Sequence, residues 1–332
     1  MKALLSRQPG GPDSLTLEDV PEPIAGRGEV RVAVRACSVN FPDLLMIRDL
    51  YQYKPPRPFA PGAELAGVVD AVGDGVENVQ VGDRVLLCPA RGGMAQKAVG
   101  SAANCWKIPD AMSFDEAAAL LMTYGTSQHA LTDRAQLRSG ETLLVLGAGG
   151  GVGLAAVELG KAMGARVVAA ASSQEKLALA RERGATQTVQ YPVGPLDKAA
   201  ARDLTERFKA VCGPNGAQVI YDGVGGDYTE AALRAIGWEG RYLVVGFPAG
   251  IPKLPLNLTL LKSCQVIGVF WGEFANRFPA RHRDNVAALM QLYLDGLIKP
   301  AVTARFPLAR GADALASLES RGARGKVVVT IE

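Results

Sequence analysis

The sequence predicts an α/β protein in two parts: a doubly wound parallel sheet on a central segment, and a mostly-β body from the flanking residues. Three observations lead there. Between about Thr123 and Val266, short apolar runs alternate with amphipathic stretches long enough for helices, the pattern of a parallel sheet covered on both faces. Before Thr123 the chain alternates like half-buried strands, broken by Pro and Gly. At the head of the central segment, "LGAGGGVG" (Leu146–Gly153) places five glycines between a strand-like and a helix-like run.

In chain order, "EVRVAVRACSV" from Glu29, "GVVDAVG" from Gly67 and "GDRVLL" from Gly82 read as strands. "TLLVLG" (Thr142–Gly147) is a wholly apolar strand. "GVGLAAVELGKAMG" (Gly151–Gly164) is a helix with Val152, Ala155, Ala156, Leu159 and Met163 on one side. "RVVAAA" (Arg166–Ala171) is the next strand, and "SQEKLALARERG" a helix closed by Gly184. "TQTVQ", "AQVIYDGV" and "RYLVVGF" are further strands, with helices around Leu204–Val211 and in "YTEAALRAIG". Helices near Asp284–Leu294 and Ala312–Leu318 and a final strand, "KVVVTI", follow. The expected division is residues 1–122 with 267–332 as one domain, and 123–266 as an inserted nucleotide-binding domain.

Bulk properties exclude several classes. The chain has 332 residues, 48% hydrophobic and 21% charged, enough for packed cores. A net charge of +3 with interleaved signs gives no footprint for nucleic acid. Neither a signal peptide nor a membrane span is expected, so a soluble, cytoplasmic protein is. Five scattered cysteines without a C-x-x-C pair point to buried thiols rather than a disulfide framework or zinc knot.

The glycine run carries the chemistry. Ala148, Gly150 and Gly153 match A-x-G-x-x-G, a variant of the dinucleotide fingerprint, with Gly151 and Val152 at the helix start. The first small residue permits a tight turn, the second lets backbone approach a pyrophosphate, and the third lets helix pack on strand. The helix N-terminus offers unpaired N–H groups and a positive dipole end. An NAD site carries Asp or Glu about 20 residues on, at the end of the second strand. Here that place holds Ser172 and Ser173, followed by Lys176. Hydroxyls and a cation suit a 2′-phosphate, so the expected cofactor is NADPH; Ser172 or Ser173 can also serve as a helix N-cap.

Nearly the whole chain resembles the zinc-free quinone oxidoreductase (zeta-crystallin-like) branch of the medium-chain dehydrogenase/reductase superfamily. The stretches that carry the resemblance are "VNFPDLLMIRDLY", "PFAPGAELAGVVDAVG", "VGDRV", "MTYGTSQHAL", "GETLLVLGAGGGVGLAAVELGK", "YDGVGG", "VVGF", "GVFWG" and "ESRGARGKVVV". One departure stands out: Glu158 takes the place of Gln in the glycine-loop signature. The resemblance implies a GroES-like domain from both chain ends and a Rossmann domain between them. It implies that Thr126 contacts the nicotinamide half, and that Tyr191 and Arg321 contact the 2′-phosphate end with Ser172 and Lys176. Gly246, Phe247, Phe270 and Trp271 would line the nicotinamide and substrate cleft, with Asn40 and Asp43 at its floor.

Zinc-dependent members of that superfamily carry a Cys where this chain has Asn40, a His where it has Ala63, and four clustered cysteines after the "GDRV" strand. Only Cys88 and Cys105 lie in the corresponding lobe, too few for a tetrahedral site, so no metal is expected. Alcohol–carbonyl exchange needs a Lewis acid or strong proton donor; quinone reduction needs mainly orientation and a few polar groups. Asn40, Tyr51 and Tyr124 are candidates for those groups. The expected reaction is NADPH-dependent reduction of a quinone. The alternative is reduction of an activated alkene (enal, enone or enoyl-CoA thioester), with Tyr51 or Tyr124 as proton donor. A non-catalytic nucleotide- or RNA-binding module is a third reading that no residue favours. The apolar "CQVIGVF" (Cys264–Phe270) reads as a sheet edge open to a second copy, so a homodimer is expected.

Overall fold

A computed structural model describes residues 1–319 and 324–332. The chain divides into two compact units, one of Met1–Met122 with Pro300–Glu332 and one of Thr123–Lys299. The first contains β1 (Lys2–Leu5), β2 (Thr16–Asp19), β3 (Glu29–Ser38), β4 (Leu65–Val72), β5 (Arg84–Leu87), β6 (Lys97–Ser101) and β7 (Cys105–Lys107). The second contains β8 (Thr142–Leu146), β9 (Arg166–Ala171), β10 (Gln187–Gln190), β11 (Ala217–Asp222), β12 (Ile236–Val244) and β13 (Gln265–Gly268). The chain then returns to the first unit with β14 (Val302–Pro307) and β15 (Lys326–Thr330).

The first unit is built on a seven-stranded sheet of order β14-β15-β3-β4-β5-β7, with β6 also paired to β3. β15 lies antiparallel to β3, Val329 opposite Cys37. That pairing draws the last strand of the chain back onto a strand near its start. β3 alternates buried Val30, Val32 and Val34 with less buried neighbours, then becomes continuously buried from Ala36 to Ser38. The switch marks where the strand passes from a half-solvated face into the core. The helix Phe41–Ile47 follows at once, and Leu44, Met46 and Ile47 join the same core. This is the GroES-like fold.

In the second unit six parallel strands run in the order β10-β9-β8-β11-β12-β13. That is the Rossmann order, which reverses between β8 and β11; ligands bind in the crevice beyond the strand ends at this reversal. All five residues of β8 are buried, as a strand covered on both faces requires. The helix Gly151–Ala162 returns along it with eight consecutive buried residues, Gly153 to Gly160, so it is enclosed rather than amphipathic.

The boundary of this unit differs from the expected one. Residues 267–299 were expected with the first domain but cluster with the second. β13 pairs with β12 from Gln265 to Gly268, and the helices Trp271–Arg277 and Pro279–Leu294 fold back onto the segment around His129. Periodicity shows the second of these helices, near Asp284–Leu294, but neither the first nor which core buries them.

Gly153 is the closest point of the strand–helix contact. A Cβ there would lie 2.1 Å from the Gly147 carbonyl oxygen and 2.8 Å from Ala148 Cα. Both are backbone atoms that no rotamer change can move. Gly153→Ala is therefore expected to lower the unfolding free energy by about 1–3 kcal/mol, measured as the urea midpoint at constant m-value.

Candidate functional site

β8 ends at Leu146 and the chain turns at Gly147, whose φ of 73° lies in the left-handed region that favours glycine. The Gly150 N–H closes the turn onto the Gly147 carbonyl (3.0 Å), and the Ala148 N–H donates to Ala170 of β9 (3.0 Å). Gly150 then caps the helix without a side-chain hydrogen bond. The first-turn amides of a helix have no partners within it, and Gly151 and Val152 are half-buried. A Cβ at Gly150 would meet only the Gly147 oxygen, at 3.5 Å, so the protein's own packing leaves room there for a side chain. The bare surface instead leaves backbone N–H groups open to an anion of diphosphate size.

At the end of β9, Lys176 Nζ donates to Ser172 Oγ (3.4 Å), and Ser173 Oγ accepts from the Lys176 N–H (3.3 Å) as N-cap of the helix Gln174–Glu182. A hydroxyl and a cation thus stand together where a carboxylate would favour a ribose diol. The Lys176 stem also crosses Gly149, where a Cβ would meet it at 2.4 Å, tying the loop to this corner. Tyr191 is mostly interior: it is buried, and its ring packs on Tyr228 with centroids 4.8 Å apart. Arg321 lies outside the described residues.

Across the sheet reversal, Asp222 ends β11 fully buried. Its Oδ1 accepts the N–H groups of Val224 and Gly225 (2.8 Å each), and its Oδ2 accepts the hydroxyls of Thr229 and Tyr242 (2.7 Å each). Its carbonyl oxygen receives the Val245 and Gly246 N–H groups. One residue therefore shapes the turns after both β11 and β12. Sequence reading missed it, although an acid at a strand end before "GVGG" was a visible signal. Burial and the neighbouring Asp222 push the Tyr242 phenol well above its usual range.

Beyond these turns the rings of Phe247 and Phe270 are 47% and 55% exposed, which leaves apolar surface unpacked beside the sheet reversal. Trp271 is half-buried and lies against Gly125, where a Cβ would approach its Nε1 at 2.9 Å. Gly125 immediately precedes Thr126, so Trp271 packs one residue before Thr126 in the chain. The helix beginning at Trp271 is braced from behind. Phe274 stacks on His129 at 3.9 Å, His129 Nδ1 pairs with Asp133 at 2.8 Å, and His282 meets Trp271 edge-on at 5.4 Å. Burial lowers both imidazole pKa values, that of His282 to about 4. These two histidines are packing groups.

Tyr124 does not occupy the place expected of a pocket hydroxyl. It is buried, and its OH donates to Glu158 Oε2 on the helix Gly151–Ala162. Burial and Glu158 push its phenol well above the usual range. Glu158 also pairs with Arg183 (2.9 Å) and accepts the Lys299 N–H (3.1 Å). The departure from Gln at position 158 is thus absorbed by a buried polar cluster behind the glycine loop.

In the first unit, Asn40 precedes the helix Phe41–Ile47, and its N–H donates to Asp43 Oδ2 (2.8 Å). Asp43 Oδ1 accepts from Gly62 and Ala63 N–H (3.0 and 3.2 Å). Burial raises the Asp43 carboxyl to about 6 against these bonds. Asp43 is a clamp on two chain segments, with its oxygens already committed. Tyr51 is half-buried against this core; burial first, then Asp43, raises its pKa. Behind Asn40 sit Ser38, Glu64 and Lys326, all buried. Lys326 was read as the first residue of an apolar strand, and nothing in its spacing revealed an interior charge. Among the described residues no three His, Cys, Asp or Glu side chains form a group that could hold a metal ion, and no helix is long and apolar enough to cross a membrane.

Known proteins share both halves of this arrangement. Residues 26–110 match the alcohol dehydrogenase GroES-like domain, and residues 151–288 match the zinc-binding dehydrogenase family. The mouse quinone oxidoreductase-like protein 2 is 39% identical over 321 residues, which cover 96% of this chain and 89% of that protein. A mycobacterial protein solved in complex with NADPH superposes with a TM-score of 0.91 at 30% identity, over 99% of this chain and 100% of that one. The Escherichia coli quinone oxidoreductase, also solved with NADPH, gives 0.89 at 28% identity over 99% and 100%. With this glycine loop, this sheet order and these relatives, the chain is an oxidoreductase fold that belongs to the quinone oxidoreductase branch of the medium-chain dehydrogenase/reductase superfamily.

Proposed function

We propose that the protein is an NADPH-dependent quinone reductase that works without a metal ion. The observation that carries this reading is the pairing of an uncapped glycine-loop helix with Ser172 and Lys176 at the next strand end. The first suits a diphosphate and the second a 2′-phosphate, and two structural relatives were solved with NADPH bound. When bound, NADPH would supply a hydride from its nicotinamide C4 and leave as NADP⁺; the quinone that accepts it becomes a hydroquinone anion and takes its one proton from water. The charge formed spreads over the ring, so the reaction requires no strong acid from the protein. That agrees with a chain whose Tyr124 is spent on Glu158 and whose Asp43 is clamped by backbone.

In this reading Gly151, Val152 and Gly153 hold the diphosphate, and Ser172, Ser173 and Lys176 hold the 2′-phosphate, with Tyr191 and Arg321 beside them. Thr126 and Trp271 position the nicotinamide. Gly246, Phe247 and Phe270 supply flat apolar contact for the quinone, and Asn40 and Tyr51 supply polar contact. Ala148 keeps the turn small. Asp43 acts through Asn40.

We also propose a homodimer through β13. This strand is the edge of the six-stranded sheet, and Val266 on it is exposed, as are Leu256, Leu260 and Leu261 just before it. Such an edge is closed by pairing with a copy of itself. Val266→Asp is expected to convert the dimer to monomer in light scattering after size-exclusion chromatography, with its circular dichroism spectrum unchanged.

Two measurements test the reaction. NADPH oxidation should be fast with 9,10-phenanthrenequinone or 1,2-naphthoquinone, slower with enals and enoyl-CoA esters, and unaffected by dialysis against a chelator. A protein that oxidises NADPH with no quinone, or that loses its rate with the chelator, is not this enzyme. Lys176→Glu should weaken NADPH binding by roughly 10- to 100-fold, the scale of one charge-assisted contact, and leave NADH binding nearly unchanged by fluorescence titration.

A further inference from the structure

Lys326 is a buried cation that packing alone does not explain. It opens β15 and is 5% exposed. Its ammonium donates to Asn40 Oδ1 (2.6 Å) and to the Val39 carbonyl (3.3 Å), and it stands 3.9 Å from Glu64 Oε2. Glu64 also accepts the Ser38 hydroxyl (2.7 Å) and the Met122 N–H (3.0 Å); burial raises its pKa, and Lys326 and these bonds work against that rise in favour of the carboxylate. Burying two charges brings little net stability over an apolar pair of similar volume. A buried pair beside a candidate substrate-binding amide therefore points to a task other than holding the fold.

Three hydrogen bonds and the 3.9 Å Lys326–Glu64 ion pair close a ring, and the directions of the hydrogen bonds follow from the charges. An ammonium can only donate, so the Asn40 atom facing Lys326 is the oxygen. A carboxylate can only accept, so the Ser38 hydroxyl donates to Glu64 and accepts from Asn40 Nδ2 (3.0 Å). Among the described residues Nδ2 has one other contact, the Ser38 carbonyl at 3.5 Å, at the limit of a hydrogen bond. One amide hydrogen of Asn40 is thus spent, and the second remains. Asn40 keeps 7% of its surface exposed.

We propose that Lys326 is a positioning residue for the reduction: it holds the Asn40 oxygen, fixes the amide orientation, and leaves the second Asn40 N–H as the donor to the substrate carbonyl oxygen. This inference rests on the reading of the protein as a quinone reductase. A cation on the amide oxygen draws electron density from the amide nitrogen, so the remaining N–H is a stronger donor than that of an isolated amide. Its effect grows as negative charge develops on the quinone oxygen. Glu64 and Ser38 hold the ring in register.

The test is single-turnover NADPH oxidation by the wild type, Lys326→Met, and Lys326→Met with Glu64→Gln, over quinones of decreasing reduction potential. The double variant leaves no unpaired charge in the interior and guards against failure to fold. Both variants should bind NADPH like the wild type and transfer hydride roughly 10- to 100-fold more slowly, within the range for losing one oriented donor. The loss should steepen as the quinone becomes harder to reduce, a trend that a merely structural role would not produce. Folded variants with wild-type rates, a loss equal for every quinone, or a loss confined to NADPH affinity would each overturn the assignment. A wild type inactive with all quinones would instead remove the underlying reading, and is seen before any variant is made.

Discussion

The site depends on how closely one helix approaches one strand. Gly153 lies against the Gly147 carbonyl with no space for a methyl group. That contact brings the head of the helix Gly151–Ala162 to the end of β8, so its unpaired amides face the crevice where the sheet order reverses. A larger residue would lift the helix and turn those amides away. The helix can sit so deep because its residues from Gly153 to Gly160 are all buried. Its one charged member there, Glu158, is satisfied by Arg183, Tyr124 and Lys299.

Both units use a buried carboxylate to shape the backbone around their candidate sites. Asp222 accepts four hydrogen bonds through its side chain and holds the turns after β11 and β12. Asp43 accepts three and ties the loop at Gly62 and Ala63 to the start of the helix Phe41–Ile47. An interior acid without such donors would be costly. With them it becomes a rigid fixture, which matters for chemistry that relies on orientation. The Lys326–Asn40–Ser38–Glu64 ring is a further fixture and, unlike those of Asp222 and Asp43, it includes a cation.

Much of the fold could be read without coordinates. The alternation of apolar runs and helices gave all six parallel strands, and "KVVVTI" is indeed a strand, β15. The glycine loop, Ser172 and Lys176 lie within about 30 residues of one another, and their roles follow from local spacing. Asn40 and Asp43 were visible as a motif, whereas their partners were not. The pairing of Asn40 with Lys326 spans 286 positions, and no local pattern encodes such a contact. The partner of Tyr124 was hidden for the same reason: its hydroxyl bonds to Glu158, 34 residues away.

The sequence by itself determined the two sheet types, the strand–turn–helix phosphate cradle and the absence of an acid at the second strand end. These depend on periodicity of two or 3.6 residues and on glycine's missing side chain, properties of the local chain. Tertiary structure alone decided where residues 267–299 pack, which polar groups are spent inside and which stay available, and that a lysine is buried beside Asn40. Those outcomes depend on which distant surfaces exclude water together, and burial, not residue type, sets the chemistry of an interior acid or cation.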